Sequence, residues 1–189
     1  MLLYVEDALV ISENVTHILD NEIGNYFTMK PLSVGPPKIY LGGHMQKITL
    51  ENVSKAWVLI SSQYVQAAVN NVEEYLVKTD QKLPLKALTP IQNLFRPDLD
   101  TTSELTKLDA SYYQSLIDIL LWMVELGRVD IFLEVSMLLS HLALPREGHL
   151  QQLFHMFAYI KRNHNSEILF EPTDPVIDES LFNRKYWTA

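Results

Sequence analysis

Leu2-Leu3-Tyr4-Val5-Glu6-Asp7-Ala8-Leu9-Val10-Ile11-Ser12 places two adjacent carboxylates between two short apolar runs. Leu2 to Val5 and Ala8 to Ile11 are each too short for a helix and rich in strand formers, so the stretch predicts a β-hairpin with Glu6 and Asp7 at its tip. Paired acids at such a tip suit a hard cation. Mg2+ takes oxygen ligands in octahedral geometry, and two such ions about 3.5 to 4 Å apart can hold the attacking and leaving oxygens of a phosphoryl transfer. A solvated acidic turn is the plainer alternative, since Asp at a turn needs no ligand.

Outward from this hairpin, Glu13 to Tyr26 reads as a helix. Val15, Ile18, Leu19 and Ile23 fall at helical spacing, and Gly24 is placed to end it. Phe27 to Lys30 is short and β-prone, and Pro31, Gly35, Pro36 and Pro37 then break the chain into a loop. Ile39-Tyr40-Leu41 begins a strand, Gly42-Gly43 is a tight turn or bulge, and Gln46 to Leu50 alternates as its partner. These first residues make a small α+β unit. With no further strand or helix to pack on, a hairpin is marginal.

Ala56 to Ile60 is another short apolar run, with Ser61-Ser62 expected to cap the helix that follows. Val65, Val69, Val72 and Leu76 step by helical intervals and predict an amphipathic helix ending near Val77. From Thr79 to Leu108, Pro84, Pro90 and Pro97 make a long irregular connection, which a compact domain tolerates when it wraps over a surface. Asp109 to Asn163 then shows three helical periods. The first is capped by Asp109, carries Tyr113, Leu116, Ile117, Leu120 and Val124 on one face, and ends at Gly127. The second is capped by Asp130 and closes at Pro145, with Ile131, Val135, Leu138, Leu139 and Leu142 inside. Leu150, Leu153, Phe154, Phe157, Ala158 and Ile160 line the third. Short loops favour packed neighbours, so this half reads as a three-helix bundle. Glu167 to Phe170 can add a strand, and the tail from Pro172 reads as extended.

Composition narrows the function classes. The chain has 189 residues, 48% apolar and 20% charged, without cysteine, which excludes disulfides, thiolate zinc and cysteine catalysis. No apolar run approaches the roughly 18 residues of a membrane span, and no basic region precedes an apolar one at the start, so no membrane partner and an intracellular home, cytoplasmic or nuclear and not secreted, are expected. The net charge is −8. Lys161-Arg162 and Arg184-Lys185 are the only local basic concentrations, and the first pair suits a helix C-terminus. Six histidines, His17, His44, His141, His149, His155 and His164, show neither an i, i+4 pair nor a zinc spacing. No phosphate-cradling glycine loop, nucleophile elbow or dinucleotide fingerprint is present.

Taken together, several segments carry a resemblance. Tyr4-Val5-Glu6-Asp7 resembles the Tyr-Val-Asp-Asp signature of reverse transcriptases, and its context is similar to the copia-type retrotransposon polyprotein. The match continues through Phe27-Thr28-Met29-Lys30, Tyr40-Leu41-Gly42-Gly43 and Ser62-Gln63-Tyr64-Val65. It then takes in Tyr112 to Trp122, Arg128-Val129-Asp130-Ile131, Ser140, Pro145-Arg146-Glu147-Gly148-His149 and Phe157-Ala158-Tyr159-Ile160-Lys161, so that it spans Leu2 to about Pro172.

The resemblance implies an α+β fold: a palm remnant with the acidic hairpin and a primer-grip-like hairpin at Tyr40, Leu41, Gly42 and Gly43 (1–52), a thumb-like helix and long connection (53–108), a helical bundle (109–172) and an extended tail (173–189). It further implies RNA-directed DNA polymerase ancestry, Mg2+ as cofactor and a primer-template of RNA or DNA as partner. Carried over, the metal-binding acids are Glu6 and Asp7. Glu6 departs from the signature: one extra methylene displaces its carboxylate by roughly 1 to 1.5 Å, where catalytic groups are held to about 0.5 Å. Asp118 departs too, standing where the family's helix carries Gly, and needs an exposed face or a partner. The family's third acid and its fingers lie upstream of the signature, and its RNase H acids downstream. The expectation is therefore a truncated fragment, vestigial at Glu6 and Asp7, binding Mg2+ weakly at most, with weak or no nucleic-acid binding and no catalysis alone. The alternative is a helical protein-interaction module without a catalytic role.

Overall fold

A computed structural model describes residues 2–4, 7–10, 12, 14–30, 34–51 and 54–170, with side chains from residue 9 onward. The protein is α+β. Strands β1 (Leu2–Tyr4) and β2 (Asp7–Leu9) pair antiparallel, Tyr4 opposite Asp7 and Leu2 opposite Leu9. The predicted hairpin forms, with one correction: Asp7 is the first residue of the returning strand, while Glu6 lies outside the described residues. The helix expected over 13–26 is a single α-turn, α1 (Val15–His17), continued as a π-helical stretch from Ile18 to Ile23 that ends at Gly24. Phe27 to Lys30 forms no strand.

The main sheet has four antiparallel strands in the order β3 (Ile39–Tyr40), β4 (Gly43–Thr49), β5 (Lys55–Ile60) and β6 (Glu167–Phe170). Six residue pairs join β4 to β5, His44 opposite Ile60 through Thr49 opposite Lys55. β6 comes from the far end of the chain and adds to β5, Trp57 opposite Phe170. The strand suggested over Glu167 to Phe170 thus supplies the neighbour that a lone hairpin needs.

The core is helical. α2 (Ser62–Lys78), α3 (Lys107–Glu125), α4 (Phe132–Leu139) and α5 (Glu147–Arg162) surround one apolar cluster that includes Val65, Val72, Leu76, Tyr113, Leu120, Val135, Leu138, Leu153 and Phe157. The apolar faces read from periodicity are the buried ones. The three helices expected over 109–163 form, as α3, α4 and α5, and α2 joins them by packing along α5. α5 is central: ten of its residues are buried, including His149, Gln152 and His155. A helix this enclosed on its apolar side must also satisfy three polar side chains, and residues 79–106 do so by crossing over it. His149 Nε2 bonds the Pro97 carbonyl at 3.0 Å, His155 Nε2 the Thr89 carbonyl at 3.0 Å, and Gln152 exchanges two bonds with Gln92. Backbone polar groups in a loop need partners; the two histidines serve carbonyls and Gln152 accepts the Gln92 N–H.

Three expected caps differ. α3 is capped by Thr106, whose Oγ1 accepts from the Asp109 N–H at 3.2 Å and donates to Asp109 Oδ2 at 2.6 Å, so Asp109 sits one turn inside. Asp130 lies in a 3-10 turn, Val129–Ile131, and takes two 2.8 Å bonds from Arg128 in place of capping α4. Ser61 precedes α2, but its hydroxyl is buried without a partner and caps nothing. Gly127 follows α3 at φ +97°, and a Cβ there would strike Ile168 of β6, which is how the sheet closes on the helices. Asp118 is on the exposed face of α3, as a charge there requires.

Candidate functional site

The β3–β4 hairpin is the most completely described of the anticipated sites. Tyr40 pairs with Gly43, leaving Leu41-Gly42 as a two-residue turn. Both turn residues have positive φ, +52° and +88°, the type I′ geometry whose twist matches flanking strands. Gly at the second position fits readily; Leu41 does so only at a steric cost. What holds it is distant in sequence: the Trp122 indole N–H, from α3, donates to the Leu41 carbonyl at 3.3 Å. Gly43 opens β4, and a Cβ there would collide with Leu59 on β5.

The structure brings this turn beside Ser62-Gln63-Tyr64-Val65, the start of α2. A Cβ on Gly42 would touch the Tyr64 ring at 3.8 Å, and His44 Nε2 contacts Gln63 Oε1. Burial raises the Tyr64 phenol above its ordinary pKa, so it stays a hydrogen-bond donor. Ser62 Oγ lies 2.8 Å from His164 Nδ1, beyond the end of α5, with Gln66 Nε2 3.1 Å from both. On β4, Lys47 Nζ stands 5.8 Å from the centroid of the Trp57 ring.

The acidic hairpin is less completely described. Asp7 is fixed by backbone register alone, opposite Tyr4. The chain leaving β2 lines a mostly apolar groove of about 790 Å3, in which Leu9, Val10 and Val15 face Met45, Trp57 and Phe170 of the main sheet. The groove joins the segment after the acids to the strands that carry the β3–β4 turn. Among the described residues, no three His, Asp or Glu side chains come together to hold a metal. A fit to Mg2+ therefore rests on Glu6 and Asp7, and no chemical step follows from it.

A second polar centre was not anticipated from sequence. At the start of α5, His149 Nδ1 accepts the Arg146 N–H at 3.1 Å while Nε2 bonds Pro97, which defines the neutral Nε2–H tautomer. Asp100 Oδ2 approaches Nε2 at 3.6 Å, and the Asp100 side chain is 4% exposed. Burial acts to raise the Asp100 pKa; hydrogen bonds from Thr102, with the His149 ring N–H and the Arg146 guanidinium nearby, outweigh it and hold the carboxyl below its ordinary value. His141 lies against His149, the rings tilted by 35° with centroids 4.3 Å apart. The signal was the i, i+3, i+6 series His149, Gln152, His155, which marks a polar stripe on an otherwise apolar helix. Lys161 at the end of α5 pairs with Glu73 at 2.6 Å, and Arg184-Lys185 lie outside the described residues. No described helix is long and apolar enough to cross a membrane.

No family model matches the chain, and no solved structure matches it. A Saccharomyces cerevisiae protein named for transposon Ty5-1 is 30% identical over 160 residues, which is 83% of this chain and 47% of that protein. The chain thus spans about half the length of that relative. By sequence it is similar, along most of its own length, to a protein that bears a transposon's name.

Proposed function

We propose that these 189 residues are the C-terminal palm, thumb and connection part of a copia-type retrotransposon reverse transcriptase, and that they do not polymerise alone. The observation that carries this is the seating of Leu41-Gly42 against the start of α2, with Trp122 bonding the turn from α3. Three segments with the family's sequence pattern thereby meet at one hairpin, on a chain similar to a transposon protein. The hairpin would grip the primer side of an RNA or DNA primer-template, and Glu6 and Asp7 would be the remnant of the Mg2+ site. Two-metal transfer needs carboxylates for both ions, a primer grip and a nucleotide pocket, and a pair of acids with one grip is not enough.

Primer extension on an RNA template tests it. The chain alone, wild type or Glu6→Asp, should extend nothing with Mg2+ or Mn2+, because improving one ligand's reach replaces neither a third acid nor the fingers. The same chain fused behind a palm and fingers from a copia-type element should extend, and more so with Glu6→Asp. Template-dependent extension by the unfused chain, abolished by Asp7→Asn, would sink the proposal.

A second reading has its own observation. Val129, Phe132, Leu133 and Leu144, in α4 and in the chain flanking it, are each more than half exposed. Exposed apolar side chains in one stretch of chain favour a protein-interaction module. The fused form separates the two readings, since an interaction module joined to a palm and fingers should confer no template-dependent extension.

A further inference from the structure

The cleft where α2 ends and α3 and α5 begin lies away from both hairpins, encloses about 410 Å3 and is lined by Tyr75, Asp109, Glu147, Leu150 and Phe154 among others. Tyr75 gives it one half-buried aromatic wall, with the buried Phe154 also lining it. Tyr75 stacks on Tyr112 with centroids 3.8 Å apart, and Tyr112 in turn leans on Phe154 at 6.5 Å. Its rim is acidic. Asp109 and Glu147 stand in the first turns of α3 and α5, where the helix macrodipole already favours a carboxylate without any ligand. What sets this pair apart is the wall between them and the state of its polar atoms. Asp109 receives the Tyr75 hydroxyl at 3.4 Å and Thr106 at 2.6 Å, whereas Glu147 is exposed and has no ion-pair partner among the described residues. Behind the wall, the Tyr112 hydroxyl has no solvent-exposed surface and no hydrogen-bond partner. Burial and the neighbouring Tyr75 phenol both disfavour its ionisation, so it remains a neutral donor and acceptor.

We infer that this cleft binds a guanidinium-type organic cation, its flat face on the Tyr75 ring and its N–H edge on the Glu147 carboxylate. A guanidinium suits the site better than an ammonium. It is planar, weakly hydrated, stacks on aromatic faces and presents a donor edge to a carboxylate, while an ammonium is a strongly hydrated point charge. The methylene stem of such a ligand would lie on Leu150. Nothing in this inference depends on a polymerase ancestry, so either can fail alone.

The experiment is an amide-resolved NMR titration of the full chain with three probes: agmatine, N-acetyl-arginine amide and the uncharged butylurea. Agmatine or the arginine amide should give saturable shifts at the amides of Tyr75, Asp109 and Glu147, with a dissociation constant on the order of millimolar. Saturation by agmatine alone would mark a small-molecule site, and saturation by the arginine amide alone a partner's side chain; both support the inference. Glu147→Gln should weaken binding about three- to five-fold, the size of one exposed ion pair, while Glu125→Gln at the other end of α3 should leave it unchanged. Both substitutions are on exposed side chains and leave the core intact. Absence of saturation with either cation, equal weakening by both variants, or equal binding of butylurea would overturn the inference.

Discussion

At the scale of single residues, the features hardest to anticipate are buried charges and forbidden methyl groups. Arg128 has no exposed side-chain surface, and its two 2.8 Å bonds to Asp130 make that turn the receptacle for a charge that would otherwise be costly. Asp130 is 37% exposed, so its loss should cost less than a fully buried pair: Asp130→Asn is expected to destabilise by about 1 to 3 kcal/mol in urea unfolding. The pH dependence has a definite sign. Burial would raise the Asp130 pKa, but the Arg128 bonds and charge, with the Tyr159 hydroxyl, hold it below the ordinary 3.8. Its contribution is then complete above that value and lost as pH falls through the folded-state pKa, so the gap between wild type and Asp130→Asn should stay level from pH 7 to about pH 5 and close below about pH 4. A gap that widens in acid would contradict the pairing. Glycines give a second contrast. A Cβ on Gly148 would enter the Asp100 carboxylate, which the Thr102 N–H holds at 2.9 Å, whereas a Cβ on Gly35 would meet nothing within 4 Å among the described residues beyond its chain neighbours. Gly148→Ala should lose about 1 to 3 kcal/mol despite better helix propensity, and Gly35→Ala should be neutral or slightly stabilising.

At the scale of elements, periodicity made the helices legible and left their ends obscure. Val65, Val69, Val72 and Leu76, and the faces of α3 and α5, are buried as their spacing requires, because amphipathic spacing reports the core directly. Caps depend on backbone geometry and on which of several neighbouring polar residues reaches a free N–H. Thr106 outcompetes Asp109 because it stands three residues before the N–H it serves, with Asp109 returning the bond. Ser61 has the right chemistry but a helical backbone conformation, φ −92° and ψ −1°, which turns its hydroxyl away from the first turn. The two should therefore respond in opposite ways to the same substitution. Thr106→Ala should cost about 1 kcal/mol in thermal unfolding, and Ser61→Ala should be neutral or stabilising, since it removes a buried hydroxyl that has no partner. Equal losses at both positions would mean that Ser61 caps α2 after all. The π-helical turn over Ile18 to Ile23 had no signal in the spacing, which serves an α-helix and a π-turn almost equally over so few residues.

At the scale of the whole molecule, the α+β class was legible, while the long-range joins were not. No local pattern announces that β6 crosses from residue 167 to pair with β5, that Ile168 meets Gly127, or that residues 79–106 lie along the polar stripe of α5. The same limit holds at the candidate site. Tyr40 to Gly43 could be marked as a hairpin from its glycines, but Trp122 as its anchor, 81 residues away, could not. Hydrogen exchange of the intact chain would measure how firmly these joins hold. Amides of Tyr113 to Met123 and Leu150 to Ile160 should exchange slowest, because their side chains form the common core. β4 and β5, with six paired residues and a neighbour on each side, should be intermediate. β1 and β2, with three pairs and no third strand among the described residues, should exchange fastest of the sheet residues. Trp122→Phe keeps an aromatic ring and removes the indole N–H that donates to Leu41, a hydrogen bond worth about 1 kcal/mol. Exchange should therefore quicken by roughly five-fold over Ile39 to Met45 and stay unchanged in α5, because a turn with positive φ at Leu41 loses its tether while the core does not. If the variant instead speeds exchange throughout α3 and α5, Trp122 is a core residue like any other, and the hairpin is not held from the helices.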